Sequence, residues 1–369
     1  MYKNVAHVKY QGYFFHMRSE GAPIEEIVDR AIGSALGSAA TVLVAVDGEV
    51  VLEHHAGTTR LWDAPGVPAT VDAAPATAAT RFDLASITKP IVAAALLGEL
   101  HAQGLDTTLP AAELLPEFGD RRGRTTTLAH LLGHTAGLPA EWFDRDPDPD
   151  ARRFREGARP DTAAGISHRY SCVGYIWAGL ATESLAGAPL DDVVHRQVLE
   201  PLGMHSTGFR PAPELRASIA ATEFQPGRGL VHGEVHDETA AALGGVSGNA
   251  GLFATGRDLL RFAEALRTGG EIDGARVLPA AVAAALATPL QLPDDPGYGQ
   301  ALGPRLNEDW MRGLGPRVAG HTGFTGTAFA AEPGGRRSVV LLANRVHPAR
   351  SSNEVREVRA RVVSAASRR

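Results

Sequence analysis

The stretch DLASITKP, residues 83–90, holds two side chains whose types and spacing suit acyl transfer: Ser86 and Lys89. Residues three apart share one face of a helix, so the hydroxyl and the amine can meet. A serine hydroxyl is a weak nucleophile until a base removes its proton. Lysine can be that base if burial or nearby positive charge lowers its pKa from about 10.4. Arginine cannot, because it keeps its proton. The chain carries 36 lysines and arginines, yet only Lys3, Lys9 and Lys89 are lysines, and Ser86–Lys89 is its one S-x-x-K. Pro90 lacks an N–H and fits only near a helix start. The spacing therefore predicts a helix beginning near Ser86, with the hydroxyl at the positive end of its dipole. The competing reading of Lys89 is an ordinary surface lysine.

Two later patterns bear on the choice. RYSCVGY places Tyr170 just before an apolar helix, and GHTGFTG places His321-Thr322-Gly323 before the last hairpin. Ser-x-x-Lys, then Tyr-Ser-x, then His-Thr-Gly, in that order, resembles the serine β-lactamase and penicillin-binding-protein superfamily. Within it the chain is most similar to the class C-like branch of esterases, D-amino-acid peptidases and transacylases. LLGHTAGLP, PLGMHSTGF, GGVSGNAGLFATGRDLLRF and ANRVHP (343–348) also resemble segments of that family, and the likeness runs from about residue 24 to 365.

The resemblance implies a set of roles. Ser86 would attack an acyl carbonyl and form an acyl-enzyme. Lys89 would take the serine proton, with Tyr170 sharing or relaying it. The oxyanion would lie between the backbone N–H groups of Ser86 and Phe324. His321, Thr322 and Gly323 would line the strand against which a substrate lies, and Cys172 would complete the substrate site. No metal or other cofactor is implied. Two positions depart from the family pattern. Cys172 stands where an Asn or Asp is usual, and a thiol, a weak donor and weak acceptor, is not expected to replace an amide that holds the lysine. His321 stands where β-lactamases carry lysine, which removes a fixed positive charge for a substrate carboxylate. Both departures favour an esterase or amidase of small acyl substrates. A transacylase passing the acyl group to an amine or alcohol, a D-amino-acid peptidase or weak β-lactamase, and a non-catalytic ligand-binding member are the alternatives.

Other side chains have plainer readings. Cys172 as a nucleophile would need a lowered pKa, and a free cysteine at the start of a buried helix is ordinarily a small apolar residue. His232 and His236 in VHGEVHDE are four apart but lack the H-E-x-x-H order of a zinc helix. His134 reads as a structural residue at a helix end, and His54 and His55 as ordinary strand residues.

The elements that must position these groups follow from pattern. Apolar residues at 24, 27, 28, 31 and 32 predict a helix. TVLVAVDGEVVLEHHAG and GTAFAAEPGGRRSVVLLAN predict hairpins turning at Asp47-Gly48 and Gly334-Gly335. IVAAALLGELHAQG, VGYIWAGLATESLAG, PLDDVVHRQVL, TGRDLLRFAEALRTGG and SNEVREVRARVVSAA predict helices, whereas residues 142–161 read as a charged, proline-interrupted loop. The expected class is α/β (α+β): an antiparallel sheet built from both chain ends, flanked by helices, with a mostly helical insertion. Residues 1–20 are expected to be a disordered extension with an alternative start at Met17. Residues 21–369 are expected to form one β-lactamase-like domain, its α/β part at about 21–104 and 310–369 and its helical part at about 105–309.

Composition excludes several partners. A net charge of −6 gives no reason for nucleic acid or an anionic membrane. One cysteine allows no internal disulfide, and no run is apolar long enough to span a bilayer. A cytoplasmic location and a small acyl ester or amide as sole partner are the expectations; the pattern is silent on oligomeric state.

Overall fold

In this computed structural model, residues 21–64, 67–69, 73–143, 150–350 and 354–369 are described. The expected extension at 1–20 therefore lies outside the described residues. Strands β1 (Ala39–Val46) and β2 (Glu49–Gly57) form the first hairpin. Its turn places Asp47 at φ 53° and Gly48 at φ 90°, the left-handed pair that a two-residue hairpin requires. Short strands β3 (Phe82–Asp83), β4 (Gly208–Phe209) and β5 (Leu252–Ala254) make a small separate sheet in the order β3-β5-β4. The main sheet is completed by β6 (Gly299–Gln300), β7 (Arg305–Leu306), β8 (Ala319–Thr322), β9 (Ala328–Ala331) and β10 (Arg337–Ala343). Its seven strands run β6-β7-β8-β9-β10-β1-β2, with every neighbouring pair antiparallel. The two chain ends meet where Val42 pairs with Leu341, the antiparallel sheet that the sequence leads one to expect.

Alternation along the strands sends side chains to two cores. Ala40, Val42, Val44, Val339 and Leu341 face helices α1 (Ile24–Ala31) and α10 (Val355–Ala366). Leu43, Phe329, Val340 and Leu342 face the larger core. That core contains α2 (Thr88–Ala102), α3 (Leu128–Leu132), α5 (Cys172–Ala186), α6 (Leu190–Val194), α8 (Gly256–Arg267) and α9 (Ala280–Ala285), while α7 (Glu238–Ala242) buries Ala240 in a small cluster of its own. Helices α2 and α5 are apolar on nearly all sides, and they pack against each other in the interior, as helices without a polar face must. Each delivers its N-terminal turn to the same place.

One expectation fails. Within the stretch read as a loop, residues 151–157 form helix α4 (Ala151–Gly157). The Asp150 side chain caps it by accepting from the Arg153 N–H at 2.8 Å. Phe154 anchors it, buried edge-on to Trp142 and tilted against Trp177. A lone aromatic among charged residues shows too little periodicity to announce a two-turn helix. Residues 144–149 of that stretch lie outside the described residues.

Candidate active site

Ser86 lies in a short turn between β3 and α2. Ala85, just before it, adopts φ 46°, a left-handed conformation that costs a non-glycine residue energy. The Asp83 carboxylate holds this turn, accepting from the Ala85 N–H at 2.7 Å and from the His236 N–H at 2.7 Å. Burial pushes the Asp83 carboxyl up, and the His236 N–H works against that. Ser86 is the one residue of 82–90 that is not buried. Its hydroxyl thus opens toward solvent from a packed segment.

Lys89 occupies the first turn of α2 and is wholly buried, so the surface-lysine reading fails. Its Nζ donates to Ser86 Oγ at 2.9 Å, to the Asn249 carbonyl at 3.0 Å and to Cys172 Sγ at 3.3 Å. It also sits 5.1 Å from the centre of the Tyr170 ring. Cys172 begins α5, where Ser171 caps the helix by accepting from the Gly174 N–H at 2.9 Å. The sulfur, a weak acceptor, thus stands within reach of the lysine where the family pattern has an amide. Burial pushes the thiol up to about 12, against the pull of Lys89. A thiol held neutral is not a nucleophile.

The proton inventory differs from expectation too. Burial alone disfavours the Lys89 ammonium, but Cys172 and Tyr170 beside it favour keeping the proton, and the net direction is up. Burial raises Tyr170, with Lys89 pulling it down. The three groups behave as one proton-sharing cluster. At neutral pH it holds an ammonium, a phenol and a thiol, and the lysine is not lowered.

Tyr170 is fixed by its surroundings. His134, at φ 60°, accepts the Ser171 N–H on Nδ1 at 3.1 Å and lays its ring 4.6 Å from that of Tyr170. Burial, with Lys89 adding, holds His134 well below its usual value, so it is a neutral support. The Arg305 guanidinium covers the Tyr170 ring at 4.7 Å and pairs with Glu308 at 2.9 Å.

The strand β8 brings the His-Thr-Gly residues alongside. His321 lies 6.0 Å from Tyr170, ring to ring. Burial, then Arg305 and Lys89, keep it well below its usual pKa, so it supplies no fixed charge. The turn after it is stitched to the Ser86 segment: Thr325 Oγ1 donates to the Asp83 carbonyl at 2.7 Å and Thr327 Oγ1 to the Leu84 carbonyl at 3.1 Å. Gly323 is required by this approach, since a Cβ there would stand 2.0 Å from Thr327 Oγ1 and 2.5 Å from the Leu84 oxygen. Phe324 is 46% exposed, stacks on His236 at 5.6 Å and is flanked by Arg345 and Arg350. Its N–H donates to no protein acceptor among the described residues.

The structure thus gathers Ser86, Lys89, Tyr170 and Cys172 at one point, with His321 to Phe324 beside them. Such a cluster can hold a hydroxyl against a proton store while leaving N–H groups free for a developing negative charge. Asp83, His134, Asn249 and Arg305 belong to it but were not picked out for it. His134 and Asn249 lie in quoted segments, LLGHTAGLP and GGVSGNAGLFATGRDLLRF, while nothing in the local pattern marks Arg305. His232 and His236 do not join in a metal set: His232 Nε2 contacts the Ile219 carbonyl at 2.8 Å and His236 contacts Glu223 at 3.2 Å. Among the described residues there is no cluster of metal-ligating side chains. His54 contacts Asp29 and His55 contacts Thr41 in the β1–β2 hairpin. Among the described residues no helix is long and apolar enough to cross a membrane.

The Beta-lactamase family model matches residues 25–364. A Salmonella agona protein named "Putative D-alanyl-D-alanine carboxypeptidase" is 29% identical over 346 residues, covering 83% of this chain and 78% of its own. The solved structure of EstCE1, "a hydrolase with promiscuous acyltransferase activity", superposes with a TM-score of 0.70 at 24% identity, over 92% of this chain and 97% of that one. A class C beta-lactamase from Rhodobacter sphaeroides gives a TM-score of 0.71 at 20% identity, over 92% and 98%. These two share the fold.

Proposed function

The chain belongs to the Beta-lactamase family, and from that premise we propose that it is a serine hydrolase that cleaves small acyl esters or amides through an acyl-enzyme on Ser86. The observation that carries this reading is the buried Lys89 ammonium 2.9 Å from the one accessible hydroxyl in its segment. Once the cluster of Lys89, Tyr170 and Cys172 has lost one proton, it can accept the Ser86 proton as Oγ bonds to the acyl carbon. The carbonyl π electrons move to oxygen, where the N–H groups of Ser86 and Phe324 stabilise the charge; preorganised donors of this kind often carry much of acyl-transfer catalysis. Collapse of the adduct breaks the bond to the leaving group, which takes the stored proton. Water then repeats the sequence and frees the acid.

Esters and simple amides suit the site better than substrates bearing a carboxylate. His321 is neutral, and Cys172 offers no amide. A second reading, transfer of the acyl group to an alcohol or amine, is favoured by Phe324, which stays 46% exposed for an acceptor to meet although His236, Arg345 and Arg350 pack against its ring. The test is a panel of p-nitrophenyl esters, D-amino-acid amides and nitrocefin, with and without an added alcohol, and with Ser86→Ala as control. Expected is an acyl adduct on Ser86 by mass spectrometry and turnover of short-chain esters. Intact folding without labelling by a serine-reactive phosphonate would instead make the chain a ligand-binding member.

A further inference from the structure

Arg359 projects from α10, yet only 8% of it is exposed. Its Nη2 donates to the Gly323 carbonyl at 3.1 Å and to the Thr327 carbonyl at 3.0 Å. These carbonyls bracket the turn that contains Phe324. The Gly323 carbonyl belongs to the same peptide unit as the Phe324 N–H. In a trans peptide the C=O and N–H point in opposite directions. Gripping the carbonyl end therefore sets where the N–H end aims. The other side of the turn is tied to the Ser86 segment through Thr325 and Thr327.

A buried arginine usually spends its charge on a carboxylate. Among the described residues Arg359 forms no ion pair: Glu308 acts on it only through space, and its Nε has no partner. Burial, with Arg345 adding, pulls it down to about 9, which leaves it charged at neutral pH. A cation bonded to the carbonyl end also polarises the peptide, which strengthens its N–H as a donor.

We infer that Arg359 is a positioning residue that aims and polarises the Gly323–Phe324 peptide, so that the Phe324 N–H donates to the oxyanion formed at Ser86. The inference rests on the acyl-enzyme reading above.

The test compares the wild-type protein with Arg359→Lys and Arg359→Gln, using a p-nitrophenyl ester carrying a 13C-labelled carbonyl. Folding is checked by circular dichroism and thermal melting; Arg359→Lys, which keeps a cation, serves if Arg359→Gln does not fold. Misaiming one donor should lower kcat roughly 10- to 100-fold, with KM changed far less, since deleting such a donor outright costs 10²–10³. The infrared band of the acyl-enzyme carbonyl should move to higher wavenumber, toward that of the free ester. A folded variant whose band stays at the wild-type position overturns the inference, even if its melting temperature falls. If the wild-type protein forms no adduct on Ser86, the acyl-enzyme reading fails and takes this inference with it.

Discussion

Replacing Lys89 by methionine separates a residue kept for chemistry from one kept for stability. The ammonium is wholly buried, with two oxygen acceptors, one sulfur acceptor and no ion pair among the described residues. Hydrogen bonds from a charged donor contribute about 1.5–3 kcal/mol each. Taking the ion out of water costs several kcal/mol, so the two nearly cancel. Methionine has similar length and gains about 1.5–3 kcal/mol from apolar burial. The stranded Asn249 carbonyl gives back about 1–3 kcal/mol. Lys89→Met should therefore change stability by no more than about 1 kcal/mol in either direction.

Acylation should respond very differently. Loss of a positioned base lowers rates by roughly 10²–10⁴. The assay pairs denaturant midpoints with the burst of p-nitrophenol and with mass-spectrometric labelling of Ser86. A stability loss of about 3 kcal/mol or more, the size seen when a buried hydrogen-bond network is broken, would make Lys89 a structural residue. Acylation within tenfold of wild type would refute its part in proton transfer.

Other expectations follow from the same geometry. Because Lys89, Tyr170 and Cys172 are all pushed up, kcat/KM for a neutral ester should keep rising with pH above neutrality; a plateau already reached at pH 6 would contradict this. Cys172→Ala should reduce acylation less than about tenfold, since sulfur is a weak acceptor, and a loss equal to that of Ser86→Ala would assign the nucleophile to Cys172. Gly323→Ala has no room for its Cβ and should cost about 1–3 kcal/mol while depressing acylation more than stability alone explains; wild-type kinetics would show that the turn need not touch the Ser86 segment. His134, His321 and His347 have folded pKa values below the unfolded value, His347 at about 4. The unfolded chain thus binds protons that the folded chain refuses, and their stabilisation is lost as pH falls through about 6.5. Between pH 7 and 5.5 each should cost about 1.3 kcal/mol, and an unchanged denaturation midpoint over that range would show that they are not buried as neutral rings.

What could be read from the sequence was local, and what could not was set by distant partners. Ser86 and Lys89 are one turn apart, and Asp47-Gly48 makes its own hairpin, so nearest neighbours sufficed. The direction of the Lys89 pKa depends on Tyr170 and on Cys172, which is 83 residues away. The clamp on the Ser86 turn depends on Thr325, 242 residues from Asp83. No local pattern reports either. Arg359 is an intermediate case. VREVRARVV contains three arginines of identical chemistry, and charge alone cannot rank them. Helical spacing can. Val355, Val358, Val362 and Val363 form the buried stripe of α10, and residue 359 falls inside it, while Arg356 lies on an exposed face. An arginine in an apolar stripe must find acceptors in the interior. The stripe therefore marks Arg359 as the arginine with a buried task, and the fold shows that its acceptors are the carbonyls on either side of Phe324.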